Sequence, residues 1–418
     1  MKIAIWHNLP SGGGKRALYY QVRGLLERGH QLEVWCPPDA NRSFLPFNAL
    51  VTEHVLPLRK GEAGKHRGAK RLLQVYQGRL EQIQWMDEHC SQCAAEIRER
   101  SFDLFWGHAC RYFAVTSIGR WVNLPRALDL PEPYRKLYEA APEYPWLALP
   151  PADRSWGLQY MRDFVRNLVK IQELRIQVRQ EQENIRAYDL VHVNSYFSRE
   201  SVLRAYGLDA RVCYRGIDTA LFQDMCEPRE RIVVGVGSIT RAKNIDFVVR
   251  SLGRLKPPRP PLVWVGNMAN ASYLSSLKAL AEEEGVEFIP NVLLADQELV
   301  SLLNRASVMV YAPRLEPFGI APLEANACGL PVIAVAEGGV RESIQDGVNG
   351  ILVSHNDEQA FAGAIASLLE NPGSARKLGR QGRELVCQNW SWAASLDRME
   401  AIFHELLGSR SDPDPNGH

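Results

Sequence analysis

The chain has 418 residues, 46% of them hydrophobic and 23% charged, with a formal net charge of +1. That length exceeds one ordinary core and predicts two globular α/β domains, while so even a charge balance gives no reason to expect a nucleic-acid partner. Residues 1–226 carry 31 Lys+Arg against 25 Asp+Glu and residues 227–418 carry 18 against 23, so the first half has the surplus that suits an anionic surface.

No run of residues is apolar enough to span a bilayer, and Met1 opens directly into a strand-like segment without a signal peptide; a cytoplasmic protein, peripheral at most, is expected. The eight cysteines are scattered, as reduced thiols would be.

Apolar runs alternate with helical patterns, which predicts parallel sheets covered by helices. KIAIW (2–6) reads as the first strand. Gly12, Gly13 and Gly14 follow, just before a helix running to about Arg28. Glycines there let the backbone approach a ligand, and a helix N-terminus favours an anion, although a plain surface turn accounts for the same residues. QLEVWCP (31–37) reads as the next strand. RKGEAGKHRGAKR (59–71) holds six Lys+Arg against one Glu, suited either to peripheral association with an anionic membrane or to a solvated loop. Cys90 and Cys93 form a lone CxxC within a helical pattern; without a second ligand pair they read as a helix face rather than a metal site. DLFWG (103–107), with His108 after it, and DLVHVN (189–194) are the remaining strands expected of a first domain, and 154–187 reads as a long helix with one buried stripe and one solvated face.

CYRGIDTALF (213–222) reads as a linker, giving expected domains of 1–212 and 213–388. IVVGVGS (232–238), PLVWVGN (261–267), VEFIP (286–290), SVMVYAP (307–313) and PVIAVA (331–336) read as strands of the second domain. After the first of these, Arg241 and Lys243 precede a helix, where a planar fork and a point charge suit a diphosphate. After the fourth, Glu316 and Glu324 flank a Pro-Phe-Gly turn. Carboxylates accept hydrogen bonds from sugar hydroxyls, so two acids and two cations at one sheet edge match a ligand bearing hydroxyls and phosphates. The segment 389–407 reads as an amphipathic helix able to pack back across the first domain, and 408–418 as a disordered tail.

The run from Glu316 through PFGIAPL to Glu324, continuing ANACGLPVIAVAEGGVRESIQDGVNGILV, resembles the E-x7-E signature of retaining glycosyltransferases of family four. PSGGGKRALYYQVRGLLERGHQLEVW, VNSYFSRESVLRAYG and YRGIDTALF are similar to the same family's opening, pre-linker and inter-domain segments. The resemblance implies an α/β GT-B fold, two Rossmann-like domains facing a cleft, with the donor held by the second domain and the acceptor mostly by the first. It implies that Glu324 binds the donor ribose. Glu316 and the backbone at Phe318, Gly319 and Ile320, with Leu323 beside them, would hold the transferred sugar. Lys243 and Arg241 would neutralise the diphosphate, and the Gly12–Gly14 loop would close over it. No cofactor or metal is implied. The donor would be a GDP- or UDP-linked hexose of mannose or glucose type, and the acceptor a hydroxyl of a glycan, lipid-linked or small molecule.

Two positions depart from that pattern. Ser238 follows Gly237 where relatives carry arginine, and DLPEPYRKLYE has Pro131 where many carry a histidine, leaving Asp129 or His108 as the polar group at the transferred sugar. These departures also motivate an alternative reading, a catalytically silent sugar-nucleotide-binding or scaffold protein.

Overall fold

The computed structural model describes residues 1–59, 70–138 and 157–408. Residues 60–69 of the basic stretch 59–71 and residues 409–418 of the expected tail 408–418 lie outside them. The described residues form two compact units, one from Met1–Val193, Ser198–Cys213 and Met399–His418, the other from Asn194–Phe197 and Tyr214–Arg398. Among them no helix is long and apolar enough to cross a membrane.

The first unit contains β1 (Lys2–Asn8), α1 (Gly13–Glu27), β2 (Gln31–Cys36), β3 (Thr52–Val55), α2 (Lys70–Arg98), β4 (Leu104–Cys110), α3 (Ile118–Trp121), β5 (Arg126–Asp129), α4 (Arg135–Tyr138), α5 (Leu158–Ile185), β6 (Leu190–Val193), α6 (Tyr196–Tyr206) and β7 (Arg211–Val212). The first two residues of α6 belong to the second unit. The strands make one parallel sheet in the order β3-β2-β1-β4-β5-β6-β7. β1 lies at its middle and is buried on both faces, which is why KIAIW is a continuous apolar run rather than an alternating one.

The second unit contains β8 (Val233–Val236), α7 (Ile245–Gly253), β9 (Leu262–Gly266), α8 (Ala271–Glu283), β10 (Phe288–Val292), α9 (Asp296–Arg305), β11 (Val308–Tyr311), α10 (Ile320–Ala327), β12 (Val332–Val335), α11 (Val340–Ser343), β13 (Gly350–Val353), α12 (Glu358–Glu370) and α13 (Pro372–Asn389). Its parallel sheet runs β10-β9-β8-β11-β12-β13. The last helix, α14 (Trp392–Gly408), belongs to the first unit from Met399 onward. There Phe403 meets the Trp106 ring at 5.4 Å, and Glu400 accepts from His30 at 2.7 Å and from Arg28.

Cys90 and Cys93 are buried on α2, and burial pushes both thiols up, as befits a helix face. Gly12 is the residue before α1 and takes φ 138, a value that favours glycine, whereas Gly13 and Gly14 already form the first turn. The glycine run is therefore a helix start more than a loop.

Lys15, one residue further on, is fully buried. Its ammonium lies over the Phe47 ring at 3.7 Å and has no hydrogen-bond partner. The donor atoms of His7, Cys36 and Glu53 lie within 4.8 Å of one another, and Lys15 is electrostatically coupled to all three residues. Burial pulls the Lys15 pKa down to about 8, opposed by Glu53 and Cys36. The unfolded chain keeps that proton up to about 10.5, so folding carries a penalty below pH 8 that fades as pH rises through 8 towards 10.5. Lys15→Met is therefore expected to stabilise the protein by about 1–3 kcal/mol at pH 7, less at about pH 9.5. Urea unfolding of both proteins at the two pH values measures this; an advantage that stays constant or grows with pH contradicts it.

Candidate active site

In an open parallel sheet the connections leave in opposite directions on either side of the point where strand order reverses, and a crevice opens at the carboxyl ends there. In the second unit that point lies between β8 and β11. The loop after β8 carries Arg241 and Lys243 in one 3-10 turn, and the loop after β11 carries Glu316. The structure brings these loops together: Lys243 Nζ donates to Glu316 Oε2 at 2.7 Å, with both side chains about one-fifth exposed. Gly237, after β8, takes φ 150, a value that favours glycine, and lies against the Lys243 stem, where a Cβ would make ordinary contact at 3.4 Å. Arg241 is exposed in the same turn, its guanidinium 5.4 Å from the Tyr273 ring. The Tyr273 hydroxyl donates to Asp246 at 2.7 Å.

The Glu316 loop is held from beneath. Its backbone carbonyl accepts from Gly339 N at 2.8 Å, the Phe318 carbonyl accepts from Ser343 Oγ at 3.3 Å, and the Pro317 carbonyl accepts from Ser195 Oγ. A Cβ on Gly339 would lie 2.0 Å from the Pro317 oxygen, and one on Gly338 would lie 2.4 Å from the Glu316 oxygen. Both glycines exist because two backbones touch there. Gly319, at φ 85, then turns the chain into α10. The helix thus begins at Ile320, four residues before Glu324; a left-handed residue that favours glycine sets the start. Glu324 is half-buried in the second turn, Leu323 and Phe318 are buried, and Ile320 opens the helix.

Three polar residues that sequence reasoning missed fix this frame. Asn326 Nδ2 donates to the Leu330 carbonyl at 3.1 Å and to the Asn349 carbonyl at 3.0 Å, while Asn349 Nδ2 donates to Asn326 Oδ1 at 2.9 Å. Both asparagines are fully buried. Glu342 accepts from the backbone N–H groups of Tyr196 and Phe197 at 2.8 and 2.9 Å and from the Tyr214 hydroxyl at 2.9 Å. Their partners lie too far along the chain for spacing to reveal them.

In the first unit, strand register puts His108, Asp129 and His192 side by side across β4, β5 and β6. Asp129 bridges the two imidazoles, with Oδ2 3.2 Å from His108 Nδ1 and Oδ1 3.6 Å from His192 Nδ1. Trp106 Nε1 donates to His192 Nε2 at 3.0 Å, which leaves the His192 proton on Nδ1, towards Asp129. All three residues of the row are buried. Asp129 and His108, weighed as alternatives on sequence, are thus parts of one row, and His192 is its unforeseen third member. Gly12, Gly13 and Gly14 lie after the neighbouring strand β1.

Residues 220–385 match the family described as glycosyl transferases group 1. The alpha-maltose-1-phosphate synthase of Mycolicibacterium smegmatis is 30% identical over 253 residues, which are 54% of this chain and 65% of that protein. The D-inositol 3-phosphate glycosyltransferase of Acidothermus cellulolyticus is 28% identical over 255 residues, 55% of this chain and 56% of that one. The match to glycosyl transferases group 1 thus lies within the second unit. The chain spans well under two thirds of some of the curated relatives it matches and just under that share of others. Among solved structures, sucrose-phosphate synthase from Thermosynechococcus elongatus matches with a TM-score of 0.68 at 20% identity, covering 98% of this chain and 99% of that one. Anabaena HepE in complex with UDP matches with a TM-score of 0.66 at 19% identity, covering 97% and 100%. These likenesses show a GT-B fold.

The close approach at Gly339 is directly testable. Gly339→Ala is expected to cost about 1–3 kcal/mol, because neither backbone can yield without moving the Glu316 loop. Gly363→Ala, where nothing lies within 4 Å of the added carbon, is the control and should be neutral or slightly stabilising. Thermal melts of the two variants compare them; an unperturbed Gly339→Ala protein contradicts the packing described here.

Proposed function

We propose that the protein is a retaining glycosyltransferase that moves a hexose from a nucleotide diphosphate sugar to an acceptor hydroxyl. The observation that carries the reading is the Lys243–Glu316 pair, a cation and a carboxylate 2.7 Å apart at the carboxyl-end crevice of the second sheet. One group suits a phosphate and the other suits sugar hydroxyls. The match of residues 220–385 to glycosyl transferases group 1 and relatives named as glycosyltransferases support it, as does HepE, whose solved complexes contain UDP, glucose and UDP-glucose. The donor nucleotide is GDP or UDP. A GDP-mannose-dependent mannosyltransferase of Mycolicibacterium smegmatis, 28% identical over 246 residues, supports the former as HepE supports the latter.

In this proposal Lys243 and Arg241 stabilise the negative charge that grows on the departing diphosphate, and Glu324 accepts from the ribose. Glu316 and the backbone at Phe318, Gly319 and Ile320, with Leu323 packed beneath them, hold the transferred sugar. The Gly12–Gly14 turn meets the diphosphate with backbone N–H groups. Fixed cations do this work, so transfer is independent of divalent metal. His108 is the side chain at the sugar, and Asp129 acts through it by holding its imidazole. The acceptor hydroxyl attacks the face the diphosphate leaves, and a donor phosphate oxygen takes its proton.

Glu324→Ala and Lys243→Ala are each expected to weaken nucleotide-sugar binding by about one to two decades, the worth of one charge-assisted hydrogen bond. Calorimetry with unchanged affinity in both folded variants overturns the donor site. Asp129→Asn should lower kcat at nearly constant donor affinity. Wild-type turnover in this variant removes the Asp129–His108 pair from the mechanism. Turnover should survive chelation, and loss restored by Mg²⁺ or Mn²⁺ contradicts the metal-independent step. A chain that binds donors yet turns none over is the silent, scaffold-type protein instead.

A further inference from the structure

Lys243 is not the cation that an arriving diphosphate meets uncompensated. Its ammonium already pairs with Glu316 at 2.7 Å, so the two together carry no net charge. The acids and arginines between α7 and α12 balance as well: Asp246 accepts from Arg250 at 2.7 Å, and Glu358 accepts from Arg250 at 2.9 Å and from Arg254 at 3.0 Å. Arg241 is left over from this balance. It is exposed, and among the described residues its side chain makes no ion pair and no hydrogen bond.

What holds Arg241 is a ring. Its guanidinium lies over Tyr273, 5.4 Å from the ring centroid, and Tyr273 is buried. Two loops are laced together to bring that ring there: Asn270 N donates to the Ile239 carbonyl and Ile239 N to the Met268 carbonyl, both at 2.9 Å, which ties the segment after β9 to the turn after β8. Asn270 Oδ1 then accepts from Tyr273 N at 2.9 Å and caps the start of α8. The Tyr273 hydroxyl is fixed twice, since it donates to Asp246 Oδ1 at 2.7 Å and accepts from the Asp246 N–H at 3.3 Å. A carboxylate beside Arg241 would hold it as firmly but would cancel its charge. An aromatic face attracts the flat guanidinium and leaves the charge standing, with the in-plane N–H groups open to oxyanions. A phenol that donates its proton to a carboxylate also presents a more electron-rich face to the cation.

We propose that Tyr273 is a positioning residue for donor binding, holding Arg241 by its ring so that the one uncompensated cation of the loop meets the diphosphate already oriented. The inference rests on the reading of this crevice as a nucleotide-sugar site. Asp246 steadies the phenol, the phenol orients the guanidinium, and the guanidinium touches the ligand. Tyr273 itself acts only through Arg241, so its contribution disappears when Arg241 is removed.

Calorimetry of the full chain with UDP and with GDP tests it. Tyr273→Leu, which fills much of the space but removes the face, is expected to weaken binding of the diphosphate that the parent takes by about three- to tenfold. Tyr273→Phe, which keeps the face, should lose about twofold or less. In an Arg241→Ala background Tyr273→Leu should change affinity by less than about twofold further, because the group it acts through is gone. Tyr273→Met refills the space if the leucine variant fails to fold, and circular-dichroism melts decide which of the two is read. Three outcomes overturn the inference and leave the donor site standing: parent-like affinity in the folded leucine or methionine variant, an equal loss in the Arg241→Ala background, or a loss with Tyr273→Phe as large as with Tyr273→Leu. Parent-like affinity in Arg241→Ala removes that arginine from the donor site and the inference with it, and a parent that binds neither diphosphate overturns both readings.

Discussion

A parallel sheet must return its chain over one face or the other, and where the direction of return changes the loops part and leave a crevice. In the second unit this happens between β8 and β11, and everything proposed about the donor depends on it. The two loops that part there carry Lys243 and Glu316. Their ion pair is then tuned from below by close backbone packing: Gly338 and Gly339 let one loop lie on another, and the buried Asn326–Asn349 pair ties α10 to the turn before β13. Rigid support of this kind holds charged groups in place without the ligand having to order them.

The first unit shows the same logic with a different result. Register, rather than loop geometry, aligns His108, Asp129 and His192 at the carboxyl ends of three neighbouring strands. One carboxylate between two imidazoles fixes the orientation of both rings. In the proposed mechanism β4 supplies the imidazole at the sugar, as His108, and β5 steadies it through Asp129.

Much of the second unit was legible because β8, β9, β11 and β12 are buried on both faces and read as continuous apolar runs. IVVGVGS, PLVWVGN, VEFIP, SVMVYAP and PVIAVA all form strands. β13, four residues long with Gly350 at its start, gave too weak a run to separate from its flanks. In the first unit β3, β5 and β7 were missed for a related reason: TEHV, RALD and RV are too short to show a pattern, and each carries charge. Of the site, the charged residues were legible from chemistry and spacing, and the cross-chain partners were not. Glu342 reaches Tyr196 and Phe197, which lie nearly 150 positions earlier, and nothing in local sequence marks such a contact. Lys15 was hidden for the opposite reason, since a lysine after a glycine run reads as solvated and here is buried over Phe47.

The central claim is that the crevice between β8 and β11 holds a donor whose sugar leaves with retention. Proton NMR of the purified protein with UDP-glucose and GDP-mannose, recorded from the first minutes, tests this through the slow transfer of the sugar to water. The account predicts release of nucleoside diphosphate with the α-anomer of the sugar appearing first and the β-anomer growing only by mutarotation. First appearance of the β-anomer contradicts retention, and intact donor after prolonged incubation, despite measurable binding, contradicts catalysis itself.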